Sequence, residues 1–202
     1  MKFSSLIKLA ILNIKNNKLI AALCSLLLCL CMLYPSEMQE DSGVSNNKQS
    51  DLVVQKIEHY GRFINTVLQI ALPLATRDIV GLKQLVLVAI TATIATHSLK
   101  RVLNDVEIMG TRLGQRPSST HSKHNMPSGH SSLAASGAYF VCRRYGLKFA
   151  LIVIPVLMLT MYARVVLDAH TITAVLAGTL VGILTTALFT TGYRWPHMSR
   201  KN

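Results

Sequence analysis

Two short stretches of this sequence each place an arginine and a histidine at a fixed spacing. Arg116-Pro117 is followed by Pro127-Ser128-Gly129-His130, and Arg164 is followed six residues later by His170. Arginine binds phosphate oxygens through paired hydrogen bonds and keeps its charge, and imidazole exchanges protons near neutral pH. The pattern predicts a site that binds a phosphate ester, with one histidine as nucleophile and the other as acid.

Neighbouring residues strengthen the expectation of an anion site. Lys100 adds a point charge, and Arg112 adds a further cation. Ser128-Gly129-His130 begins a predicted helix, whose free N–H groups and positive dipole end would face the anion. The sequence has no HxH or ExxH pair and no carboxylate cluster with metal-ligand spacing. We therefore expect a covalent route without a metal or another cofactor.

The composition places this site in a membrane protein. Half of the 202 residues are hydrophobic and 15% are charged, whereas soluble domains carry about a quarter charged residues. The mean hydropathy is +0.39, and several apolar runs approach the roughly 20 residues that cross a bilayer. The net charge of +12 is spread between apolar runs and is not gathered on one polar face, so we expect no nucleic-acid partner.

Six apolar segments predict an all-α membrane protein, a bundle of six transmembrane helices. Residues 1–18 are predicted as a basic amphipathic helix on the membrane surface. Residues 19–34 form the first span, because the run ends without the small-residue cleavage site of a signal peptide. A loop covers 35–60, the catalytic core covers 61–191, and a basic tail covers 192–202. The core spans are predicted at about 61–76, 79–99, 127–146, 149–163 and 170–191.

The distribution of Lys and Arg orients the bundle. With the N-terminus in the cytoplasm, twelve of the 21 Lys and Arg residues lie on the cytoplasmic side and nine on the other. The loop 35–60 is then periplasmic and the tail 192–202 is cytoplasmic. The same assignment brings five predicted site residues to the exported face: Lys100, Arg116, His130, Arg164 and His170.

These motifs resemble the three signatures of the type 2 phosphatidate phosphatase superfamily, which includes membrane lipid phosphatases and vanadium haloperoxidases. The resemblance covers about residues 60–190 and is carried by Lys100 with Arg116-Pro117, by Pro127-Ser128-Gly129-His130, and by Arg164-x5-His170. Within the superfamily, the sequence is most similar to the lipid A 1-phosphatases. The closer similarity is carried by Glu58-His59-Tyr60-x-Arg62-Phe63, Arg112-Leu113-Gly114-x-Arg116-Pro117, Asn125-Met126-Pro127-Ser128-Gly129-His130 and Leu167-Asp168-x-His170-Thr171.

The resemblance implies a role for each matched residue. His170 would attack phosphorus and form a phosphohistidine, and His130 would protonate the leaving oxygen. The phosphate and the charge of the transition state would be held by Lys100, Arg116, Arg164 and the Ser128-Gly129 turn.

The resemblance also implies the substrate class and the location. The substrate would be an anionic lipid, namely lipid A or its precursor, dephosphorylated at the 1-position. Undecaprenyl diphosphate, phosphatidylglycerol phosphate and phosphatidate are the alternatives. The reaction would take place at the periplasmic face of a bacterial inner membrane.

The spacing of the first signature departs from the family pattern. The usual spacing places the family's lysine at Met109, so Lys100 fits with about nine inserted residues, and Arg112 is the alternative source of that charge. The segment between Arg116-Pro117 and Pro127 is short, which leaves little room for a lid.

The third signature departs from the pattern after the nucleophile. The family's aspartate, four residues beyond the histidine, is Ala174 in this sequence. Asp168 is the nearest alternative for orienting His170, and it is equally an N-cap candidate for the last span. The alanine leaves a non-catalytic lipid-binding homologue as an alternative function. The charged span ends leave a small transporter or channel component as another.

Overall fold

The helices of this protein pack around one helix that is rich in small residues. The computed structural model describes residues 3–36, 52–119 and 121–193, which contain eight α-helices and one hairpin. Most of the predicted loop and tail, at 37–51 and 194–202, lies outside the described residues. The elements are α1 (Phe3–Asn16), α2 (Lys18–Leu33), α3 (Leu52–His59), α4 (Ile64–Ala75), α5 (Ile79–Val102), β1 (Glu107–Ile108), β2 (Thr111–Arg112), α6 (Gly129–Tyr145), α7 (Ala150–Val166) and α8 (Ile172–Phe189).

Helix α6 lies at the centre because its small side chains let its neighbours approach closely. It packs against α4, α5, α7 and α8, and it begins after Ser128, whose hydroxyl accepts a hydrogen bond from the Ser131 N–H. Helix α8 lies very near to α6. A Cβ added at Gly178 would overlap the carbonyl oxygen of Ser128, and a Cβ added at Gly182 would overlap the carbonyl oxygen of Ser132. This packing fixes the start of α6 beside the start of α8.

Buried polar side chains join the helices. The Asn65 amide on α4 donates to the carbonyl oxygens of Ala134 on α6 at 3.0 Å and Val153 on α7 at 2.9 Å. The hydroxyls of Thr96 on α5 and Ser132 on α6 are 2.9 Å apart. Because a membrane interior offers no water to such groups, each bond favours one arrangement of the helices.

A buried ion pair closes one end of the bundle, which we call the base. Asp78 precedes α5 and Arg144 lies in the last turn of α6, and their side chains are 4% and 3% exposed. The guanidinium donates to both carboxylate oxygens. We call this group the Asp78 network, and it is completed by the Gly81 N–H, the Tyr145 hydroxyl, the Gln84 amide oxygen and the Thr191 carbonyl oxygen.

The first two helices meet at a sharp bend. The C-terminal part of α1 is inclined to α2 by 86°. Asn13 in α1 donates to the Leu188 carbonyl oxygen near the end of α8, at 2.9 Å. Ser36, after α2, bonds to Thr173 in the first turn of α8. Helix α1 therefore crosses the base, and α2 runs antiparallel to α8 toward the opposite end.

The predicted helical membrane fold is confirmed, but the count of six spans is not. Within the described residues, α5, α8 and the stretch Leu147–Val166, which includes α7, are long and apolar enough to cross a membrane. The bent pair of α1 and α2 makes a fourth if it counts as one span.

Two of the predicted spans are shorter as helices than the sequence pattern indicated. The segment 61–76 divides into a one-turn helix, Gly61–Phe63, and the 12 residues of α4. Helix α6 has 17 residues, about 25 Å of rise. Because protein surrounds α6, close packing by small side chains takes the place of a long apolar run.

Candidate active site

The predicted site residues meet at the end of the bundle opposite the base. This end combines the last turn of α5, the first turn of α6, the last turn of α7 and the turn before α8. The helices therefore position residues that are far apart in the sequence. A cavity of about 590 Å³ is lined there by Lys100, Arg116, Gly129, His130, Arg164 and His170.

The cavity continues from these residues into the bundle, between α4, α5 and α6. Its deeper walls carry the apolar side chains of Ile70, Leu85 and Leu133, and their polar groups include Gln69, Thr93 and Thr96. A cationic mouth and a mostly apolar depth fit a molecule that carries an anionic group on an apolar body.

His170 is held in one orientation by Asn125. The ring Nδ1 lies 2.8 Å from the Asn125 carbonyl oxygen. Because a carbonyl oxygen only accepts, Nδ1 carries the proton and Nε2 keeps its lone pair. Burial, together with the charges of Lys100, Arg164 and Arg116, lowers the pKa of His170. A neutral imidazole with a free Nε2 is the form that nucleophilic attack requires.

Asn125 orients His170, which is the role expected of the aspartate that Ala174 replaces. It is 2% exposed, and its side chain accepts from the Thr171 N–H at 3.1 Å and donates to the Thr171 hydroxyl at 3.2 Å. These bonds fasten Asn125 to the turn that carries His170. Asn125 lies in a segment of the closer similarity, but the sequence alone indicates no role for it, since its partners lie about 45 residues away.

Neither role that we expected of Asp168 is present. Helix α8 is capped by Thr171, whose hydroxyl accepts an N–H from the first turn, because the helix begins at Ile172 and a cap must directly precede it. The ring of His170 bonds to Asn125 instead. Asp168 adopts a left-handed φ of 51°, and its carbonyl oxygen accepts from the Ser118 N–H at 3.1 Å. Asp168 therefore contributes to the turn before α8 through its backbone conformation and its carbonyl oxygen.

Arg164 connects the cavity to the nucleophile through its backbone as well as its side chain. Its guanidinium lines the cavity, and its carbonyl oxygen accepts the N–H of His170 at 3.2 Å. The spacing between the two residues thus corresponds to one closed turn that follows α7.

Two residues from α3 and the chain after it complete the surroundings of His130. Oε1 of Glu58 accepts from Nη1 of Arg164 at 2.6 Å and from Nη1 of Arg62 at 2.7 Å. The same Nη1 of Arg62 lies 2.8 Å from Nε2 of His130. Glu58 and Arg62 belong to the closer similarity, but the sequence alone indicates no role for them, because their partners are up to 106 residues away.

The structure places Lys100, and not Arg112, at the cavity. Nζ of Lys100 donates to the His124 carbonyl oxygen at 2.7 Å beside the cavity. Arg112 lies on β2, where it donates to the Ser122 carbonyl oxygen at 2.7 Å and is 3.9 Å from Asp105. The motif lysine is therefore best matched by Lys100.

The hairpin explains the long spacing between Lys100 and Arg116. Met109 and Gly110 both have left-handed φ values, 52° and 75°, which is typical of a tight two-residue hairpin turn. The hairpin residues 107–112 account for most of the nine inserted residues. The loop that follows is held by Arg116, whose N–H donates to the Ser122 hydroxyl at 2.7 Å.

The two residues of the Ser128-Gly129 turn have different positions. Ser128 is fully buried, its hydroxyl caps α6, and its N–H donates to the Ala174 carbonyl oxygen at 2.8 Å. Neither group is available to a phosphate, which corrects the expected contact. Gly129 lines the cavity, where an added Cβ would meet Lys100 at 3.8 Å. The start of α6 therefore reaches the cavity through Gly129 and His130.

The fold and this cavity define a helical membrane protein with a two-histidine site suited to an anion. A sequence family described as the PAP2 superfamily matches residues 81–198, more than half of the chain. The chain belongs to the PAP2 superfamily, as its three signatures predicted. Residues Glu58 and Arg62 precede the matched segment.

Three similar proteins come from Helicobacter pylori. A lipid A 1-phosphatase of strain J99 is 47% identical over 147 residues, which cover 73% of this chain and 76% of the relative. A lipid A 1-phosphatase of strain 26695 is 50% identical over 133 residues, 66% and 69% of the two chains. A lipid A 4′-phosphatase of strain J99 is 38% identical over 134 residues, 65% of each chain. No solved structure matches this chain.

Proposed function

We propose that this protein is a lipid phosphatase that removes the 1-phosphate of lipid A through a phosphohistidine at His170. The observation that carries the proposal is the bond between Nδ1 of His170 and Asn125, which leaves Nε2 as a nucleophile among three cations. The two 1-phosphatase relatives support the substrate and the position.

The reaction proceeds in two displacements. Lys100, Arg116 and Arg164 bind the phosphate oxygens and neutralise the charge that builds up on them. Nε2 of His170 bonds to phosphorus while the bond from phosphorus to the lipid oxygen breaks, and His130 as imidazolium gives that oxygen a proton. A water molecule then attacks the phosphohistidine, gives a proton to His130 and releases inorganic phosphate.

A strongly anionic head group suits the surroundings of the cavity. Outside the cavity lining, the end of α5 and the segment before α6 add positive charge beyond what one monophosphate requires, from Arg101, Arg112 and Lys123. The mostly apolar depth between α4, α5 and α6 suits the acyl part of a lipid. Undecaprenyl diphosphate, phosphatidylglycerol phosphate and phosphatidate remain the alternative substrates to be tested.

The membrane arrangement that supports this function has six spans in a bacterial inner membrane. Helices α2, α4 and α6 then cross together with α5, α7 and α8, α1 lies on the cytoplasmic surface with the tail, and the cavity faces the periplasm. A periplasmic reporter fused after Ser119 will be active. Activity of a cytoplasmic reporter at the same position would place the site on the wrong face.

The function is tested with purified protein and lipid A that carries both phosphates. Mass spectrometry will show the loss of one phosphate, and fragmentation will assign the loss to the 1-position. Activity will persist in the presence of a chelator. His170→Ala will abolish it, whereas the exposed His59→Ala will not. Release from another lipid alone would change the substrate, and release by His170→Ala would refute the phosphohistidine.

A further inference from the structure

One carboxylate oxygen is shared by two arginines beside the cavity. Oε1 of Glu58 accepts from Arg164 at 2.6 Å and from Arg62 at 2.7 Å. Carboxylate and phosphate offer a guanidinium similar anionic acceptors. Glu58 thus occupies Nη1 of Arg164, and an oxygen of a phosphate bound at this atom would compete with the carboxylate for it.

The contact between Arg62 and His130 excludes the acid form of the histidine. Nη1 of Arg62 lies 2.8 Å from Nε2 of His130. A guanidinium has donors only, so Nε2 must accept and carries no proton. A histidine that protonates a leaving oxygen is an imidazolium, with a proton on both nitrogens. Arg62 therefore has to leave Nε2 before His130 can act as an acid.

Unpartnered polar atoms indicate that these contacts are exchangeable. Within the described part of the chain, buried atoms without a hydrogen-bond partner include Oε2 of Glu58, Nε of Arg62 and Nε of Arg164. Such atoms are unfavourable in a protein interior. A rearrangement that gives them partners, such as a second bond between Glu58 and Arg62, is therefore favoured.

Among the charged groups that face His130, Glu58 is the one that favours the protonated form of the ring. Arg164, Arg62 and Lys100 act on the ring as cations, and Glu58 acts on it as an anion. Cations disfavour the imidazolium and an anion favours it. A Glu58 carboxylate that is released from Arg164 is thus the group that stabilises protonated His130.

We propose that Glu58 and Arg62 are positioning residues that couple phosphate binding to the protonation of His130. The phosphate displaces Glu58 from Arg164, and the released carboxylate pairs with Arg62 and withdraws it from Nε2. His130 then takes a proton from solvent and presents it to the leaving oxygen. This inference rests on the proposed phosphatase function, and it adds two residues that precede the matched segment 81–198.

Glu58→Gln tests the competition for Arg164. The amide has the same size but lacks the charge that competes with phosphate. The variant will therefore bind inorganic phosphate about tenfold more tightly than wild type. Its kcat will fall because Arg62 stays on His130. Binding is measured by isothermal titration calorimetry on the full chain in detergent, and Glu107→Gln, an exposed carboxylate, is the matched control.

Arg62→Gln will change phosphate binding in the opposite direction. Without Arg62, Glu58 pairs with Arg164 alone and competes more strongly, so phosphate binds more weakly. His130 loses the donor on Nε2, so the alkaline limb of kcat moves to higher pH. The matched control is Arg143→Gln, an exposed arginine at the base.

The signs of the two shifts decide the proposal. A pair with a merely structural role would weaken phosphate binding in both variants, and that result, or unchanged binding in both, would overturn it. The binding measurement requires no turnover. If the wild type releases phosphate from no lipid, the proposed function fails, while the two opposite shifts still test the coupling.

Discussion

Two arginine–carboxylate pairs lie at opposite ends of this bundle, a buried pair at the base and a partly buried pair at the cavity. Only the pair at the base has its polar atoms fully bonded within the described residues. Each oxygen of Asp78 accepts two hydrogen bonds: one oxygen bonds to Arg144 and the Gly81 N–H, the other to Arg144 and the Tyr145 hydroxyl. The remaining guanidinium donor reaches Gln84 and the Thr191 carbonyl oxygen.

The pair at the cavity is incomplete. Glu58 accepts from Arg62 and Arg164 through one oxygen. Its other oxygen and the Nε atoms of both arginines have no partner among the described residues. The guanidinium of Arg164 also lines a cavity, whereas that of Arg144 is enclosed by its partners.

The difference separates a structural ion pair from one that is available to a ligand. A buried pair whose hydrogen bonds are all made is costly to break, because removal of one partner leaves an uncompensated charge. An incomplete pair at a cavity can exchange a carboxylate for another anion at lower cost. The base therefore holds the helices together, and the cavity end keeps cations for the substrate.

Loss of Arg164, the arginine at the cavity, is expected to give the largest effect of all, and this effect is on activity. Arg164→Gln removes a charge that stabilises the transition state, so kcat/KM for phosphate release will fall about 10²- to 10³-fold. Glu58 keeps Arg62 as a partner, so the free energy of unfolding will change by no more than about 1 kcal/mol. Phosphate release and denaturant unfolding in detergent measure the two effects. A variant that unfolds readily but stays active would contradict the assignment.

Loss of the base arginine is expected to act on stability. Arg144→Gln leaves a buried carboxylate at Asp78 without its counter-ion, which will lower the free energy of unfolding by about 3–5 kcal/mol. The neighbouring Arg143→Gln is the control, because that side chain is exposed, and it will change stability by less than about 0.5 kcal/mol. Equal stability of the two variants would remove the contrast between the ends of the bundle.

The sequence predicted the parts of the site that depend on local spacing and on the order of the helices. Arg164 and His170 lie on one turn, and His130 opens a helix, so placing the apolar runs was enough to bring them to one face. The Lys100 assignment needed the hairpin at Met109 and Gly110, whose two left-handed residues do not form a recognisable apolar pattern.

The contacts that the sequence could not predict join distant, irregular segments. Asn125 and His170 bond between two loops, and their meeting depends on how closely α6 and α8 pack at Gly178. Glu58 reaches Arg164 only after α3 docks beside α7. The count of six spans is not confirmed for a related reason: α6 is surrounded by protein, so its small residues indicate close packing between helices and not contact with lipid.

Loss of the orienting amide is expected to give an intermediate effect. Asn125→Ala removes the side-chain bonds to Thr171 but keeps the backbone carbonyl, so His170 retains an acceptor in a less rigid loop. Activity will fall about 10- to 100-fold, with a larger change in kcat than in KM. The control is Asn104→Ala, between α5 and β1, which removes the acceptor of the His124 N–H. Equal losses in the two variants would indicate general loosening of the loop.

The smallest predicted effect concerns the cations around His170. Burial is the main cause that lowers the pKa of His170, and Lys100, Arg164 and Arg116 lower it further. A histidine with a lowered pKa stays neutral in mild acid, so the acid limb of kcat/KM will lie below the ordinary imidazole value of about 6.5. Removal of one cation raises the pKa, so the acid limb of Arg116→Gln will move up by as much as about one pH unit.

This shift is measured from pH profiles of phosphate release by wild type, Arg116→Gln and Arg143→Gln. The substrate's own ionisation is the same in all three, so a difference between profiles reports the protein. Arg143 lies at the base, and its loss will leave the acid limb in place. An acid limb that stays in place or moves down in Arg116→Gln would mean that His170 does not respond to the cavity cations. The contrast between the two ends of the bundle would then concern phosphate binding alone, and not the protonation state of His170.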